Sequence, residues 1–172
     1  AEELADDILS LINKFLERKN SCNIFLTGGR AAKELYLCWS KNTKFYDLKN
    51  VNFYFGDERC VNKTDPESNY GSIIKLLFEK NNIKNFQSSF IRMKAERQDI
   101  HKSVIEYSKL IPDTIDILLL GVGEDGHIAS LFPNSFALDE NSKKVLQITG
   151  PKYPFKRLTI TPRVIKTAKH IY

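Results

Sequence analysis

The sequence predicts a layered α/β domain built on a mostly parallel sheet, and three observations carry that prediction. Cys22 to Thr27 (CNIFLT) and Ile117 to Leu120 (ILLL) are short apolar runs without polar alternation, the pattern of strands covered on both faces. Each runs straight into glycine, at Gly28-Gly29 and at Gly121. Segments with apolar residues at helical spacing separate the strand-like runs, and strand alternating with helix marks this class. In open sheets of this kind ligands gather beyond the carboxyl ends of the strands, so the glycine-bearing rims are where a site is expected.

The first element is an amphipathic helix: Leu4, Ile8, Leu11, Ile12, Phe15 and Leu16 share a face, with acids early and Lys14, Arg18 and Lys19 late, as suits the helix dipole. Asn20-Ser21 ends it before the strand Cys22 to Thr27. After the glycine pair, Ala32, Leu35, Tyr36 and Trp39 mark the inner face of a second helix. Val51 to Phe55 (VNFYF) is the next strand and leads into Gly56-Asp57-Glu58-Arg59, expected as a polar cluster at a strand's carboxyl end. A long polar loop, Cys60 to Glu67, follows, and Ser68 is placed to cap a helix carrying Ile73, Ile74 and Leu77. Phe90 to Met93 is expected as a short strand. Asp99 caps a helix with Ile100, Val104, Tyr107 and Ile111, which delivers the chain to Asp116 and the strand beyond it. Val145 to Ile148 and Arg157 to Thr161 read as strands, Pro162 opens a short helix through Ile165, and His170 to Tyr172 begins another strand.

With 172 residues, 42% of them hydrophobic, the chain is long enough for one core. The helical pattern is already running at Ala1 and the last strand has only begun at Tyr172, so residues 1–172 are expected to form a single domain incomplete at both ends. Lys and Arg number 26 against 21 Asp and Glu, a formal charge of +5, but the lysines are scattered and no basic run alternates with aromatics. That argues against a nucleic-acid partner, and the lack of a long apolar span argues against a membrane. Cys22, Cys38 and Cys60 are odd in number and have no metal-type spacing, in a chain without a secretory signal. A reducing, cytoplasmic setting is expected, with no metal.

The chemistry-bearing residues fall on the predicted rims. Strand, Gly28-Gly29 and helix form an arrangement that admits an oxyanion to backbone N–H groups, although a glycine pair also serves a plain turn. Asp57, Glu58 and Arg59 follow the second strand. Gly121, Gly123 and Gly126 follow the central strand with Asp125 and His127 set among them.

Four blocks together resemble a known family: GDERCV at Gly56 to Val61, SNYG at Ser68 to Gly71, GVGEDGHIASLFP at Gly121 to Pro133 and RLTIT at Arg157 to Thr161. They are similar to the 6-phosphogluconolactonases, which share a fold with the glucosamine-6-phosphate deaminases. The resemblance implies a three-layer α/β/α sandwich, Rossmann-like in its sheet, and hydrolysis of a small phosphosugar lactone in the pentose phosphate pathway without a cofactor. It makes His127 the catalytic base with Asp125 beside it. Arg59 and Arg157 would hold the 6-phosphate with Gly28 and Gly29, and Asp57, Glu58 and Asn69 would shape the site. Arg30-Ala31 departs from the hydroxyl residue and proline often found there in the family, and the Arg30 guanidinium is expected to take over phosphate contacts. Backbone N–H groups of the glycine loop around Gly123 are expected to hold the oxyanion.

The resemblance leaves two other readings. The deaminases carry Asp-Glu-Tyr after the second strand and Asn-Glu-Pro after their GHIAF, where this chain has Asp-Glu-Arg and Ser-Leu-Phe-Pro. A non-catalytic phosphosugar-binding domain is the other, and fusion to or association with glucose-6-phosphate dehydrogenase is a further expectation, because some lactonase domains are so joined. Ser130 lacks a GxSxG elbow and is not expected to be a nucleophile.

Overall fold

A computed structural model describes residues 1–79 and 86–172. The chain runs through α1 (Glu2–Lys19), β1 (Cys22–Leu26), α2 (Arg30–Lys41), α3 (Thr43–Tyr46), β2 (Lys49–Phe55), β3 (Asp57–Arg59), α4 (Asn69–Phe78) and β4 (Gln87–Ile91). It continues with α5 (Ile100–Leu110), β5 (Ile115–Leu118), a 3-10 turn (Phe136–Asp139), β6 (Val145–Thr149), β7 (Lys156–Ile160), α6 (Pro162–Ile165) and β8 (Ala168–Ile171).

Five strands pair in the order β4-β2-β1-β5-β8, every pairing parallel. Alternation along each strand decides what covers it. Ile24, Leu26, Val51, Phe53 and Phe55 face the cluster built with α1 to α4, while Phe25 and Tyr54 face the other side with Tyr107 of α5 and Val164 of α6. The result is the three-layer, Rossmann-like sandwich. On the helix-rich side the single tryptophan, Trp39, is fully buried, stacks on Phe45 at 5.3 Å and donates its indole N–H to the Ala5 carbonyl at 3.2 Å. Phe45 in turn stacks on Phe86, which lies beside Phe53 and Phe90. Each such ring pair contributes on the order of 0.5–1.5 kcal/mol beyond its buried area.

Two expectations need correction, and one element was not expected. Asp57–Arg59, expected as a polar cluster following a strand, is itself a strand, β3, antiparallel to β7, and β3-β7-β6 form a second, three-stranded sheet. Val145, Leu158 and Ile160 of this small sheet pack on the second face of the large one, so that layer is part helix and part sheet. The fourth strand lies at Gln87–Ile91 rather than Phe90 to Met93, because Phe53 and Tyr54 pair with Phe90 and Ile91. The short helix α3 carried no sequence signal beyond Asn42, whose side chain accepts from the Lys44 N–H.

The order of strands positions the site. From β1 the chain first moves outward through β2 to β4, and only later returns to place β5 on the opposite flank of β1. Loops leaving β1 and β5 therefore diverge, and the crevice between them is the topological switch point where such sheets bind ligands.

Candidate active site

The switch point holds a cleft of about 650 Å³ lined by Thr27, Gly28, Gly29 and Arg30 after β1, by Asp57 and Arg59 of β3, and by Gly121 to Asp125 and His127 after β5. Phe132, Lys152 and Arg157 complete the wall. The loop after β5 is closed on itself: the Gly123 N–H reaches the His127 carbonyl at 2.8 Å and the Gly126 N–H reaches the Gly123 carbonyl at 2.9 Å. Gly123 is required there, because a Cβ would lie 2.2 Å from the His127 ring. Inside this loop Asp125 Oδ1 bonds His127 Nδ1 and also accepts from the His127 backbone N–H at 3.3 Å. The imidazole bond holds the Asp125 carboxyl below its ordinary range. The His127 ring packs on Phe132 at 4.8 Å, and the Arg157 guanidinium sits 5.5 Å from the same Phe132 ring.

The loop spends part of its N–H complement on its own fold. The N–H groups of Gly121, Gly123, Gly126 and His127 are all spent internally or on Thr27 Oγ1. Open donors also lie across the cleft. Helix α2 begins at Gly29 without a side-chain cap, so its first N–H groups lack an intrahelical acceptor. Arg59 and Arg157 are cross-strand partners on β3 and β7, which places two cations side by side. Arg59 reaches the Glu67 carbonyl at 2.8 Å and its carboxylate at 3.5 Å. Its Nε is buried and, among the described residues, has no hydrogen-bond partner. Arg157 is more occupied, donating to the carbonyls of Pro154 at 3.0 Å and Lys152 at 3.4 Å. Burial, and then the neighbouring Arg59 charge, pull its pKa below the ordinary value.

Asp57 supplies the counter-charge at the floor. It is 4% exposed and accepts from Asn69 Nδ2 at 2.9 Å and Ser130 Oγ at 2.6 Å. Ser130 is fully buried and committed to that bond, which removes it as a nucleophile. Glu58 and Asn69, both expected to shape the site, are absent from the lining of this cleft, although Asn69 lines an adjoining cavity of about 160 Å³ with Gly28, Gly29, Arg30 and Arg59. Glu58 accepts from the N–H groups of Arg59, Asn69 and Tyr70 and from Ser68 Oγ, and so anchors the start of α4. Burial raises its pKa, while those N–H groups oppose the rise. Asn69 acts from behind: a Cβ on Gly28 would fall 2.1 Å from its Oδ1, so the glycine is what lets the β1 loop lie against α4. Arg30 is exposed and pairs with Glu124 at 3.2 Å, spanning the two loops at the mouth of the cleft.

Thr27, Phe132 and Lys152 line the cleft although no sequence argument singled them out. Thr27 stands next to the glycine pair, Phe132 falls inside the GVGEDGHIASLFP block, and Lys152 shares a hairpin with RLTIT, so membership of or proximity to a motif was the available signal.

Among the described residues no group of His, Cys, Asp and Glu is arranged to hold a metal, and no helix is long and apolar enough to cross a membrane. The chain is 33% identical over 177 residues to 6-phosphogluconolactonase of Haemophilus influenzae, covering 99% of this chain and 75% of the relative. It is 31% identical over 180 residues to 6-phosphogluconolactonase 3 of Saccharomyces cerevisiae, covering 97% of this chain and 72% of the relative. The solved structure of 6-phosphogluconolactonase from Trypanosoma cruzi superposes with a TM-score of 0.81 at 27% identity, over 98% of this chain and 73% of that one. Residues 1–172 match a family described as glucosamine-6-phosphate isomerases/6-phosphogluconolactonase, and with a cleft of this composition at its switch point the chain belongs to that family.

Proposed function

We propose that this protein hydrolyses 6-phospho-D-glucono-1,5-lactone to 6-phosphogluconate, the lactone-opening step of the oxidative pentose phosphate pathway. One observation carries the reading: a carboxylate-supported imidazole faces a pair of adjacent arginines, one with an unspent buried N–H, across a single cleft. The curated relatives named above resemble the chain in sequence over most of its length, and the solved Trypanosoma cruzi structure shares its fold.

Asp125 accepts the Nδ1 proton of His127, which leaves the Nε2 lone pair as the base. His127 takes a proton from water as the oxygen attacks C1, and the imidazolium returns a proton to the departing ring oxygen. A δ-lactone is an activated ester, so this shuttle needs no covalent nucleophile. The phosphate rests between Arg59, Arg157 and the start of α2, where charge-assisted hydrogen bonds are strong and directional. With the Gly123 and Gly126 N–H groups engaged within the loop, the positive field of Arg59, Arg157 and Lys152 favours the developing oxyanion. The deciding experiment is the rate of 6-phosphogluconolactone hydrolysis above the spontaneous background. A rate equal to background, or ammonia release from glucosamine 6-phosphate, would overturn the assignment.

A further inference from the structure

We propose that the hydroxyls of Tyr36 and Tyr107 are positioning devices that fix where β1 and β2 release the chain, and thereby set the cleft's selectivity for a phosphorylated over an unphosphorylated lactone. This rests on the lactonase reading of the site.

The two side chains make the same pair of bonds from opposite layers of the sandwich. Tyr36, on α2 and 1% exposed, accepts from the Thr27 N–H at 3.2 Å and donates to the Thr27 carbonyl at 2.8 Å. Tyr107, on α5 and 2% exposed, accepts from the Phe55 N–H at 2.8 Å and donates to the Phe55 carbonyl at 2.9 Å. Leu26 and Phe55 are register partners, so the clamped residues sit at adjacent ends of neighbouring strands. Each hydroxyl satisfies both polar groups of one peptide position, and the chain leaves the sheet in one direction there.

Each clamp opens directly onto a wall of the anion site. Beyond Thr27 come Gly28, Gly29 and the uncapped start of α2; beyond Phe55 come Gly56, Asp57 and Arg59. The walls are tied together behind the cleft, since Gly28 abuts Asn69 and Asn69 bonds both the carbonyl and the carboxylate of Asp57. Thr27 Oγ1 also accepts from the Gly121 N–H at 3.4 Å, the first residue of the loop that carries His127. Neither tyrosine lines this cleft, and although Tyr36 borders the adjoining cavity beside Gly28, Gly29 and Arg59, both hydroxyls are spent on backbone groups, so each acts through the backbone it holds. Deleting either hydroxyl leaves a buried N–H and C=O without a partner, and the strand end must move to find new ones.

Tyr46 is the control. Its hydroxyl bonds the Ser40 and Leu77 carbonyls on the α1 to α4 side, away from the cleft. The test compares Tyr36→Phe, Tyr107→Phe and Tyr46→Phe by thermal midpoint, by calorimetric affinity for inorganic phosphate, and by kcat and KM on 6-phosphogluconolactone and on glucono-1,5-lactone. Tyr36→Phe and Tyr107→Phe should each weaken phosphate binding and raise KM for the phosphorylated lactone about tenfold, with kcat/KM on glucono-1,5-lactone held within about twofold. Tyr46→Phe should lower the thermal midpoint while leaving phosphate affinity unchanged. Equal losses on both substrates, or unchanged phosphate affinity in both cleft-side variants, overturn the proposal.

Hydrogen exchange on the wild-type protein needs no variant that must fold: saturating phosphate should slow exchange of the Thr27 and Phe55 amides, and unchanged rates would overturn the proposal as well. Wild-type protein with no turnover above background would sink the lactonase reading, whereas the phosphate and exchange measurements still decide the clamps.

Discussion

Both ends of the parallel sheet bury a carboxylate, and they treat it in opposite ways. At the amino end Asp116 is fully buried and is met by Lys19 at 2.7 Å, Lys169 at 3.1 Å and the Asn23 N–H at 2.9 Å. Burial alone would raise its pKa, but the Lys19, Asn23 and Lys169 bonds outweigh burial and hold it below the ordinary value. At the carboxyl end Asp57 bonds the neutral groups of Asn69 and Ser130, Arg157 reaches carbonyls, and Arg59 reaches the Glu67 carbonyl and, at 3.5 Å, its carboxylate while its Nε reaches nothing among the described residues. One end closes its charges on each other. The other keeps cationic donors in reserve, and that reserve is the capacity to bind an anion. The parallel sheet is thus sealed at its amino end and bordered at its carboxyl end by the smaller sheet, whose arginines stay open to a ligand.

The largest effect expected from breaking the open end is at His127. His127→Asn should cost roughly a hundred- to ten-thousand-fold in kcat while calorimetry still detects 6-phosphogluconate binding, since an amide cannot shuttle the proton. A kcat near wild type would remove His127 from the chemistry. Asp125→Asn should lose less, because the carboxylate orients the ring rather than moving the substrate's proton, and an equal or greater loss would reverse those roles.

Next come the arginines, which sharpen the comparison because they differ in occupancy. Arg59→Ala should lower kcat/KM for the phosphorylated lactone by roughly thirty-fold or more, the equivalent of about 2–5 kcal/mol for a buried charge-assisted contact. Its effect on glucono-1,5-lactone should be much smaller. Arg157→Ala should show the same bias together with a lower thermal midpoint, because its guanidinium also ties the Lys152 and Pro154 carbonyls to Phe132. Equal thermal midpoints for the two variants would contradict that distinction.

The closed end should answer in stability alone. Asp116→Asn should cost about 1–3 kcal/mol at neutral pH, the scale of hydrogen bonds to a buried charged group, and leave kcat/KM unchanged. The sign with pH comes from the depressed pKa: the contribution of Asp116 is fully present above its unfolded value and is lost as pH falls through its folded value. Denaturant unfolding of wild type and variant should therefore converge in acid. Curves that stay apart at every pH would show that packing, not charge, is what Asp116 supplies. The smallest expected effect is none: a chelator should leave turnover unaltered, because the proposed steps use only an imidazole, a carboxylate and guanidinium groups, and restoration of lost activity by zinc would break the mechanism.

Local pattern made β1, β5, α1 and the Asp125-His127 loop legible, since each depends on residues close in sequence. Nonlocal pairing hid the rest. Nothing near Arg59 or Arg157 announces that β3 and β7 pair antiparallel and set the two guanidinium groups side by side. Glu58 looks like a site residue because it stands between two, yet alternation along β3 turns it to the start of α4, where it bonds N–H groups. Tyr36 and Tyr107 read as ordinary apolar-face residues, because a hydroxyl aimed at a strand end is indistinguishable in sequence from a ring that fills space. The internal bonds of the Gly123 and Gly126 N–H groups were equally invisible, being set by how the turn folds on itself.

Trp39, stacked on Phe45 and fully buried beneath the sheet, is the chain's one tryptophan. It is absent from the lining of the cleft, so its emission reports the helix-rich core and not occupancy of the site. An indole entering water shifts its fluorescence to longer wavelength. A single optical signal can therefore sort cleft variants into those that lose chemistry with the core intact and those that lose the fold, before any substrate is added.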